Sequence, residues 1–188
     1  ANMQEDSILL DIGCNVGIYT VAAAFRGIRG IIAIDPAIDN CSELFQICEE
    51  NSFENVSIWC GTVTSQKTVS QAKPNIQQKE KWQRTLNFKE DSHAGLGFTP
   101  IWRESPKPEN RLSPPIYPDQ IDNMKNIGIT HIKIDVDGGE YDVIDSIKQL
   151  IESPSLKSIL IELRSKDDLK KMEEIIGPKG FKIDENYL

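Results

Sequence analysis

The sequence lacks the patterns that mark several common classes of protein. No apolar run approaches the ~18 residues that a membrane span needs, and no basic segment followed by an apolar stretch indicates a secretion signal. The four cysteines, Cys14, Cys41, Cys48 and Cys60, form no C-x-x-C pair, so neither a zinc site nor a disulfide framework is indicated. We therefore expect a soluble protein with reduced thiols, located in the cytoplasm.

Positive charge is also scarce in this chain. The 21 Lys and Arg residues stand against 29 Asp and Glu residues, which leaves a net charge of −8. Because nucleic-acid affinity depends on neutralising phosphates with Lys and Arg, we expect no nucleic acid as a partner. With 188 residues, the chain is long enough for one domain with a substantial core and too short for two ordinary domains.

Strand-like and helix-like segments alternate at both ends of the sequence. The predicted strands are residues 7–11, 30–35, 56–60, 130–135, 156–163 and 181–184. The predicted helices are residues 17–26, 40–50, 141–152 and 166–176. This alternation predicts an α/β fold of the doubly wound, Rossmann-like type, with a mostly parallel sheet and helices on both faces.

Residues 64–126 interrupt the alternation. They are rich in Pro, Gln, Asn, Lys and Ser, and they are much longer than an ordinary connection. We interpret them as an insertion that covers the ligand site, with a short strand near residues 84–88, inside a single domain of residues 1–188. The last predicted strand has no hairpin after it, so another segment or a second copy of the chain is a candidate to complete the sheet edge.

The first predicted strand runs into a D-x-G-x-x-x-G pattern made by Asp11, Gly13 and Gly17. Ligands of open α/β sheets bind at the carboxyl ends of the strands, where the strand order reverses. Asn15 and Ile18 take the places where a dinucleotide site needs its second and third glycines, and no Gly-Lys-Ser/Thr follows. The pattern favours a positively charged ligand without phosphate.

S-adenosylmethionine is such a ligand, because it carries an ammonium, a sulfonium and a ribose. Asp35 ends the second predicted strand, where a carboxylate can accept hydrogen bonds from both ribose hydroxyls. Taken singly, Gly13 can serve as a turn residue only and Asp35 as an ordinary polar strand end. Together in one βαβ unit, they favour this cofactor.

Three segments, "LLDIGCNVGIYT", "AIDPAIDN" and "HIKIDVDGGEYDVI", resemble the FkbM family of S-adenosylmethionine-dependent methyltransferases. Members of that family read D-x-G-A-N-x-G, E-P-x-x-x-N and K-I-D-V-E-G-x-E at these places. The resemblance implies a class I methyltransferase fold and, most often, methylation of a hydroxyl oxygen on a sugar or secondary metabolite. The chain departs from the family pattern at Cys14, which replaces Ala, and at Asp35 and Asp137, which replace Glu.

The resemblance also implies where the cofactor lies. Its methionine part would be bordered by Asp11, Gly13, Asn15 and Gly17, its ribose held by Asp35, and its adenine placed near Gly61 and Thr62. Cys14 and Pro36 lie inside the same motifs and are counted among the cofactor-binding residues.

Methyl transfer to an alcohol needs a base or a metal ion that lowers the pKa of the hydroxyl. The candidate catalytic residues are Asp135, Asp137, Glu140, Glu162 and, in the insertion, His93. Asp135, Asp137 and Glu162 are also the candidate oxygen ligands if Mg²⁺ takes part, although no metal site is otherwise indicated.

Several candidates have an ordinary structural explanation as well. Glu140 can favour a helix N-terminus through the helix dipole, and Glu162 can pair with Lys133 or Arg164. His93 can be an exposed loop residue. The second histidine, His131, lies inside a predicted strand and is expected to be a buried, structural residue.

Two other functions remain open. A NAD-dependent oxidoreductase would use Asp35 for the cofactor ribose, and an inactive cofactor-binding module would keep the site without turnover. Among methyl acceptors, nucleic-acid bases and glutamine amides are disfavoured, because "DVDG" stands where an Asn/Asp-Pro-Pro-Tyr/Phe motif would be, and no Pro-Cys dipeptide occurs. A hydroxyl on a small molecule or glycan remains as the predicted acceptor.

Overall fold

The computed structural model describes residues 3–64, 115–116 and 127–184, together with the backbone of three strands between residues 86 and 113. The strands are β1 Ile8–Ile12, β2 Gly30–Asp35, β3 Val56–Cys60, β4 Thr62–Val63, β5 Leu86–Asp91, β6 Gly97–Pro100, β7 Asn110–Ser113, β8 Pro115–Ile116, β9 His131–Ile134 and β10 Ser158–Ile161. The helices are α1 Ile18–Phe25, α2 Ile38–Glu50, α3 Glu140–Ser146, α4 Lys148–Ile151 and α5 Lys166–Ile176. A short 3₁₀ helix, Gly177–Lys179, follows α5.

A five-stranded sheet with the order β10-β9-β1-β2-β3 forms the centre of the molecule. Each of its strand pairings is parallel. The chain moves outward from β1 to β3 and then returns to β9 on the other side of β1, so the strand order reverses beside β1. The predicted doubly wound, mostly parallel α/β fold is confirmed.

Alternate residues of β1 enter different cores on the two faces of this sheet. Ile8, Leu10 and Ile12 belong to the larger core, which includes buried residues of α3, α4 and α5. Leu9 packs with Ala23 and Ala24 of α1 on the opposite face. Because side chains alternate along a strand, Asp11 lies on the α1 side, next to the carboxyl edge of the sheet.

Two smaller sheets lie outside the central sheet, and all of their strands except β4 fall within the predicted insertion. β4 and β8 pair in parallel, and β5 pairs antiparallel with β6 and β7. The short strand predicted near residues 84–88 corresponds to β5. Most of residues 64–126 lie outside the described part of the chain, so the single-domain organisation with an insertion stays a prediction.

Several sequence-based bounds differ from the structure. The strand predicted for residues 156–163 is shorter, at Ser158–Ile161. The single helix predicted for residues 141–152 is divided at Ile147 into α3 and α4. The strand predicted for residues 181–184 is wrong, because this segment is irregular and β10 is the last strand on its side of the described sheet. Phe181 packs against the larger core instead.

The sequence-based reason for expecting a second copy at the sheet edge was the strand 181–184, and this strand does not form. The homo-oligomer stays a prediction. In the described ranges, no helix is both long and apolar enough to cross a membrane.

Candidate functional site

The turn between β1 and α1 is closely packed against two other parts of the chain. Gly13 and Gly17 have positive φ angles of 75° and 86°, and Asn15 between them has a φ of 52°. A Cβ atom on Gly13 would lie 1.8 Å from the Asp135 carbonyl oxygen, and one on Gly17 would lie 2.3 Å from Cδ1 of Leu44. Glycine is needed at both positions, since any side chain would push the turn away from β9 or α2.

Every backbone N–H group of this turn is bonded inside the protein. The donors and acceptors are Gly13 to Ile34 O (2.8 Å), Cys14 to Ile34 O (3.1 Å), Asn15 to Asp35 Oδ2 (2.9 Å), Val16 to Asn15 Oδ1 (2.8 Å) and Gly17 to Cys14 O (2.8 Å). Phosphate-binding turns of this fold leave such N–H groups directed at the ligand. This turn therefore offers no phosphate cradle.

Asp35 joins the turn to the start of α2. Its Oδ1 accepts hydrogen bonds from the Ala37 N–H at 2.9 Å and from the Asn40 side-chain amide at 3.0 Å, while Oδ2 accepts the Asn15 N–H. The residue is 4% exposed. Burial raises the pKa of Asp35, and these hydrogen bonds oppose the rise.

The other predicted cofactor residues gather around the same strand ends. Cys14 is buried, with its thiol 3.6 Å from the Asn15 carbonyl oxygen, and burial raises the pKa of this thiol. The Gly61 N–H donates to the Asp35 carbonyl oxygen at 2.9 Å, which places the end of β3 beside the end of β2. The carbonyl of Pro36 lies 3.9 Å from the Cys60 thiol, and Thr62 begins β4.

Asp11 is enclosed rather than open to a ligand. Its side chain is 0% exposed, and its Oδ2 accepts a hydrogen bond from the Thr20 hydroxyl at 2.8 Å. Its Oδ1 lies 3.4 Å from Nζ of Lys133 but makes no hydrogen bond of ordinary geometry. Burial raises the pKa of Asp11, and the Lys133 ammonium and Thr20 hydroxyl oppose the rise.

Lys133 connects Asp11 to the rim of the site. Its Nζ donates to the Gly13 carbonyl oxygen at 2.8 Å, lies 3.2 Å from Oδ2 of Asp135, and stands 5.2 Å from the centre of the Tyr19 ring. Burial alone would lower the pKa of Lys133, but the two carboxylates raise it above its usual value. The ammonium is therefore held in its charged form.

Two candidate catalytic carboxylates meet at the ends of β9 and β10. The side chain of Asp135 is 37% exposed, so it can reach a ligand at the carboxyl edge. A hydrogen bond with Asp135, together with the negative charge of that residue, raises the pKa of Glu162. Asp135 is thus the neighbour that most affects the pKa of Glu162, whereas Arg164 donates a hydrogen bond to Asp137.

Asp137 and Glu140 shape the loop that follows β9. Asp137 has a φ of 54°, and its Oδ1 lies 3.3 Å from Nη2 of Arg164. Oε1 of Glu140 accepts the Gly138 N–H at 2.9 Å, at the first residue of α3. Glu140 is 7% exposed, so its carboxylate holds the loop from inside.

The two histidines and the possible Mg²⁺ site remain to be placed. His93 lies outside the described residues. His131 is buried in β9, as expected for a structural residue. Within the described part of the chain, no group of three or more His, Cys, Asp or Glu side chains is arranged to hold a metal ion, so the structure gives no support to Mg²⁺ at Asp135, Asp137 and Glu162.

Lys133 and Thr20 are the residues that the sequence did not identify. Lys133 entered the predictions only as a partner for Glu162, yet its position in the apolar segment "HIKID" was a usable signal, because a lysine is rarely buried without partners. The contact of Thr20 with Asp11 had no comparable signal. The register that pairs Asp11 with Lys133 depends on β9 returning beside β1.

No protein-family model matches the chain, and no curated protein matches its sequence. Two solved structures share its fold over most of its length. Precorrin 8W decarboxylase from Methanobacterium thermoautotrophicum aligns with 98% of this chain and 68% of its own, with a TM-score of 0.55 and 14% identity. Precorrin-6y C5,15-methyltransferase from Geobacter metallireducens GS-15 aligns with 97% of this chain and 68% of its own, with a TM-score of 0.53 and 12% identity.

A third structure is similar over a short segment only. The YcgJ protein from Bacillus subtilis aligns with 33% of this chain and 26% of its own, with a TM-score of 0.31 and 24% identity, so the matched segment spans about a quarter of that protein. The two longer alignments show that the chain shares the Rossmann-like α/β fold of these two proteins. Membership of the FkbM family stays a prediction.

Proposed function

We propose that this chain is an S-adenosylmethionine-dependent methyltransferase that methylates a hydroxyl oxygen on a sugar, glycan or secondary metabolite. The observation that carries the proposal is the turn of residues 13–17, whose five N–H groups are all bonded within the protein. A dinucleotide would find no free N–H groups for its phosphates at this turn. A positively charged ligand without phosphate does not need such N–H groups.

The residues around the turn fit the proposed cofactor. Gly13, Cys14, Asn15 and Gly17 would border its amino acid end, with Asp11 acting behind them through Lys133. Asp35 accepts three hydrogen bonds out of about four that a carboxylate can take, which leaves one place for a ribose hydroxyl beside Pro36. Gly61 and Thr62 would flank the adenine.

The cofactor, when bound, supplies a methyl group already activated by the sulfonium, so the protein has to align the acceptor and remove its proton. Asp135 is the proposed base, because its side chain is 37% exposed and its backbone carbonyl packs against Gly13 of the turn. Glu162 lies near enough for the Asp135 carboxylate to raise its pKa, and in this proposal it passes the proton on to solvent. Asp137 and Glu140 would hold the loop that presents Asp135, and no metal is included in the proposal.

The cytoplasm is the proposed location, since Cys14, Cys41, Cys48 and Cys60 are all free thiols and a reducing compartment keeps them so. Burial and nearby Cys60 raise the pKa of Cys41 to about 12, which keeps its reactive thiolate form scarce at neutral pH.

Thermal unfolding with S-adenosylhomocysteine tests the cofactor. At about 100 times its dissociation constant, a ligand specific for the native state adds about 2.7 kcal/mol, or about 5 to 10 °C in a domain of this size. We expect that rise with S-adenosylhomocysteine and none with NAD. A rise with NAD alone would replace the proposal by a dinucleotide-dependent function.

Transfer of a labelled methyl group to a panel of sugars and polyols tests the reaction. Asp135→Asn is the matched variant, because it removes the proposed base while keeping the size of the side chain. We expect methyl ethers as products and a loss of turnover of about 100-fold or more in the variant. Products methylated on nitrogen, or full activity of the variant, would contradict the assignment.

A further inference from the structure

The ammonium of Lys133 lies where two halves of the proposed site meet. On one side its Nζ donates to the carbonyl oxygen of Gly13, the first residue of the turn, at 2.8 Å. On the other side it lies 3.2 Å from Oδ2 of Asp135. The turn and the loop after β9 are separate in sequence, and one side chain binds both.

Strand register explains how the lysine reaches both groups. Asp11 and Lys133 are direct neighbours in the pairing of β1 with β9. The residues on either side of Lys133, Ile132 and Ile134, belong to the larger core on the opposite face. Lys133 must therefore lie on the Asp11 side, and its long stem carries the ammonium toward the carboxyl edge.

Lys133 is buried among groups that stabilise its positive charge. The side chain is 7% exposed, and Asp11 beside it is 0% exposed. The half-exposed ring of Tyr19 stands 5.2 Å from Nζ, a distance at which a cation is attracted to the ring face. A buried ion pair is weak evidence for stability, because apolar residues of similar volume often serve the core as well. Its contacts with the Gly13 carbonyl and with Asp135 indicate a role in the site rather than in stability.

We propose that Lys133 is a positioning residue of the methyltransferase: through the Gly13 carbonyl it fixes the turn that borders the cofactor, and through Asp135 it fixes the carboxylate that faces the acceptor. This proposal rests on the proposed function. Asp11, in turn, keeps the ammonium in place from inside, and Thr20 orients Asp11. Two ion pairs, between Asp11 and Lys133 and between Lys133 and Asp135, thus connect the core to the proposed base.

A binding experiment separates this role from a purely structural one. Lys133→Met alone would leave the Asp11 carboxylate buried without a counter-charge and can prevent folding, so the lysine is removed in an Asp11→Asn background. The single variant Asp11→Asn keeps Lys133 and the acceptor for Thr20, and it is the reference with which the double variant is compared. Lys157→Met, at an exposed lysine, controls for loss of positive charge.

Calorimetric titration with S-adenosylhomocysteine is the first readout. We expect Lys157→Met to bind within about twofold of the wild type. Asp11→Asn should bind more weakly than the wild type, because Asp11 keeps the ammonium in place, and Asp11→Asn/Lys133→Met should bind about tenfold more weakly than Asp11→Asn, as expected when a charge-assisted hydrogen bond is lost. Equal affinity of the double variant and Asp11→Asn, with both folded, would overturn the cofactor half of the proposal. If the wild type itself fails to bind, the proposed function fails instead.

Turnover with an acceptor found in the sugar panel is the second readout. We expect Asp135→Asn to lower kcat without weakening S-adenosylhomocysteine, while Asp11→Asn/Lys133→Met changes both. In the triple variant with Asp135→Asn, the further loss of kcat caused by Lys133→Met should nearly vanish, because the two residues act through one contact. Additive losses of kcat would overturn the role through Asp135, and the binding titration decides the cofactor half by itself.

Discussion

The carboxylate of Asp35 holds three groups of its own chain, the N–H groups of Asn15 and Ala37 and the side-chain amide of Asn40. The FkbM pattern has the longer Glu at this position. Asp35 is 4% exposed, so the same carboxylate that would receive the ribose also fixes the turn and the start of α2. Binding and folding are therefore coupled at this one residue.

Replacing Asp35 separates these two roles. We expect Asp35→Ala to lower the free energy of unfolding by about 2 to 3 kcal/mol, because two backbone N–H groups lose their acceptor in a buried place. Asp35→Asn keeps one oxygen and should lower it less. Both variants should weaken S-adenosylhomocysteine. Urea unfolding and calorimetric titration give the two quantities.

The control for Asp35 is Glu43→Ala, at an exposed acid of α2, for which we expect a change in unfolding free energy within about 0.5 kcal/mol. Unchanged affinity for S-adenosylhomocysteine in Asp35→Asn and Asp35→Ala would remove Asp35 from the ribose site. An unchanged unfolding free energy in Asp35→Ala would show that water replaces the lost acceptor.

At the residue level, the sequence could identify positions but could not identify contacts. The strand-end acids Asp11 and Asp35 and the glycines of the turn follow from local patterns, since a strand end and a tight turn each need particular residue types. The enclosure of Asp11 by Lys133 depends on a neighbour 122 positions away in the sequence. Such a contact is fixed by strand order, which local patterns do not contain.

At the level of elements, the predicted bounds were most accurate where a clear sequence pattern marked both the first and the last residue of the element. The bounds of β2, β3 and α5 agree with the predicted ranges, because apolar runs or a helical pattern are ended by Asp35, Cys60 and Gly177. Ser165 accepts the N–H of Asp168 at the start of α5, as an N-cap residue does. The predicted strand 181–184 failed because an apolar alternation forms a strand only where a neighbour can pair with it.

His131 gives strand β9 a dependence on pH. The Thr130 hydroxyl accepts the Ile8 N–H at 2.8 Å and donates to the Ile8 carbonyl at 3.0 Å. Nδ1 of His131 lies 2.7 Å from the same hydroxyl oxygen, within hydrogen-bond distance. Burial, followed by the Lys157 ammonium, lowers the pKa of His131 below its ordinary value, and Asp6 opposes this.

A histidine with a lowered pKa in the native state binds protons more tightly when unfolded, so stability is lost as pH falls through the unfolded pKa of about 6.5. Buried carboxyl groups with raised pKa values, such as Asp11 and Asp35, act in the opposite direction, so the contribution of His131 is read as the difference between wild type and variant. In urea at pH 8, 7, 6 and 5, we expect the free energy of unfolding of the wild type to fall toward low pH relative to that of His131→Gln. An identical slope in the variant would assign the whole acid loss to other groups.

At the scale of the whole molecule, the site exists because the chain crosses the sheet. β1 pairs with β2 on one side and with β9 on the other, and more than half of the chain separates β1 from β9. The proposed cofactor turn and the proposed base come from these two halves. They meet only in the folded domain, so cofactor binding should report on the complete sheet.

The net charge of −8 is also a property of the whole molecule, and it predicts how salt changes stability. Self-repulsion of a charged surface opposes the compact state, and salt screens charges that lie more than about 10 Å apart at 0.1 M. The described exposed pairs, such as Arg164 with Asp137, are worth little individually. Screening the net repulsion should therefore outweigh screening the pairs.

We expect the unfolding temperature to rise by about 2 to 4 °C between 10 mM and 300 mM sodium chloride, equivalent to about 1 kcal/mol. Asp11→Asn/Lys133→Met is the matched variant, because it removes one charge of each sign from a buried place and leaves the net charge at −8. Its unfolding temperature at 10 mM salt should differ from that of the wild type. The rise between 10 mM and 300 mM should be the same, since buried charges are screened weakly. A fall in the wild type with salt would mean that attractive surface pairs dominate, and a different increment in the variant would place the Asp11 and Lys133 charges within reach of solvent ions.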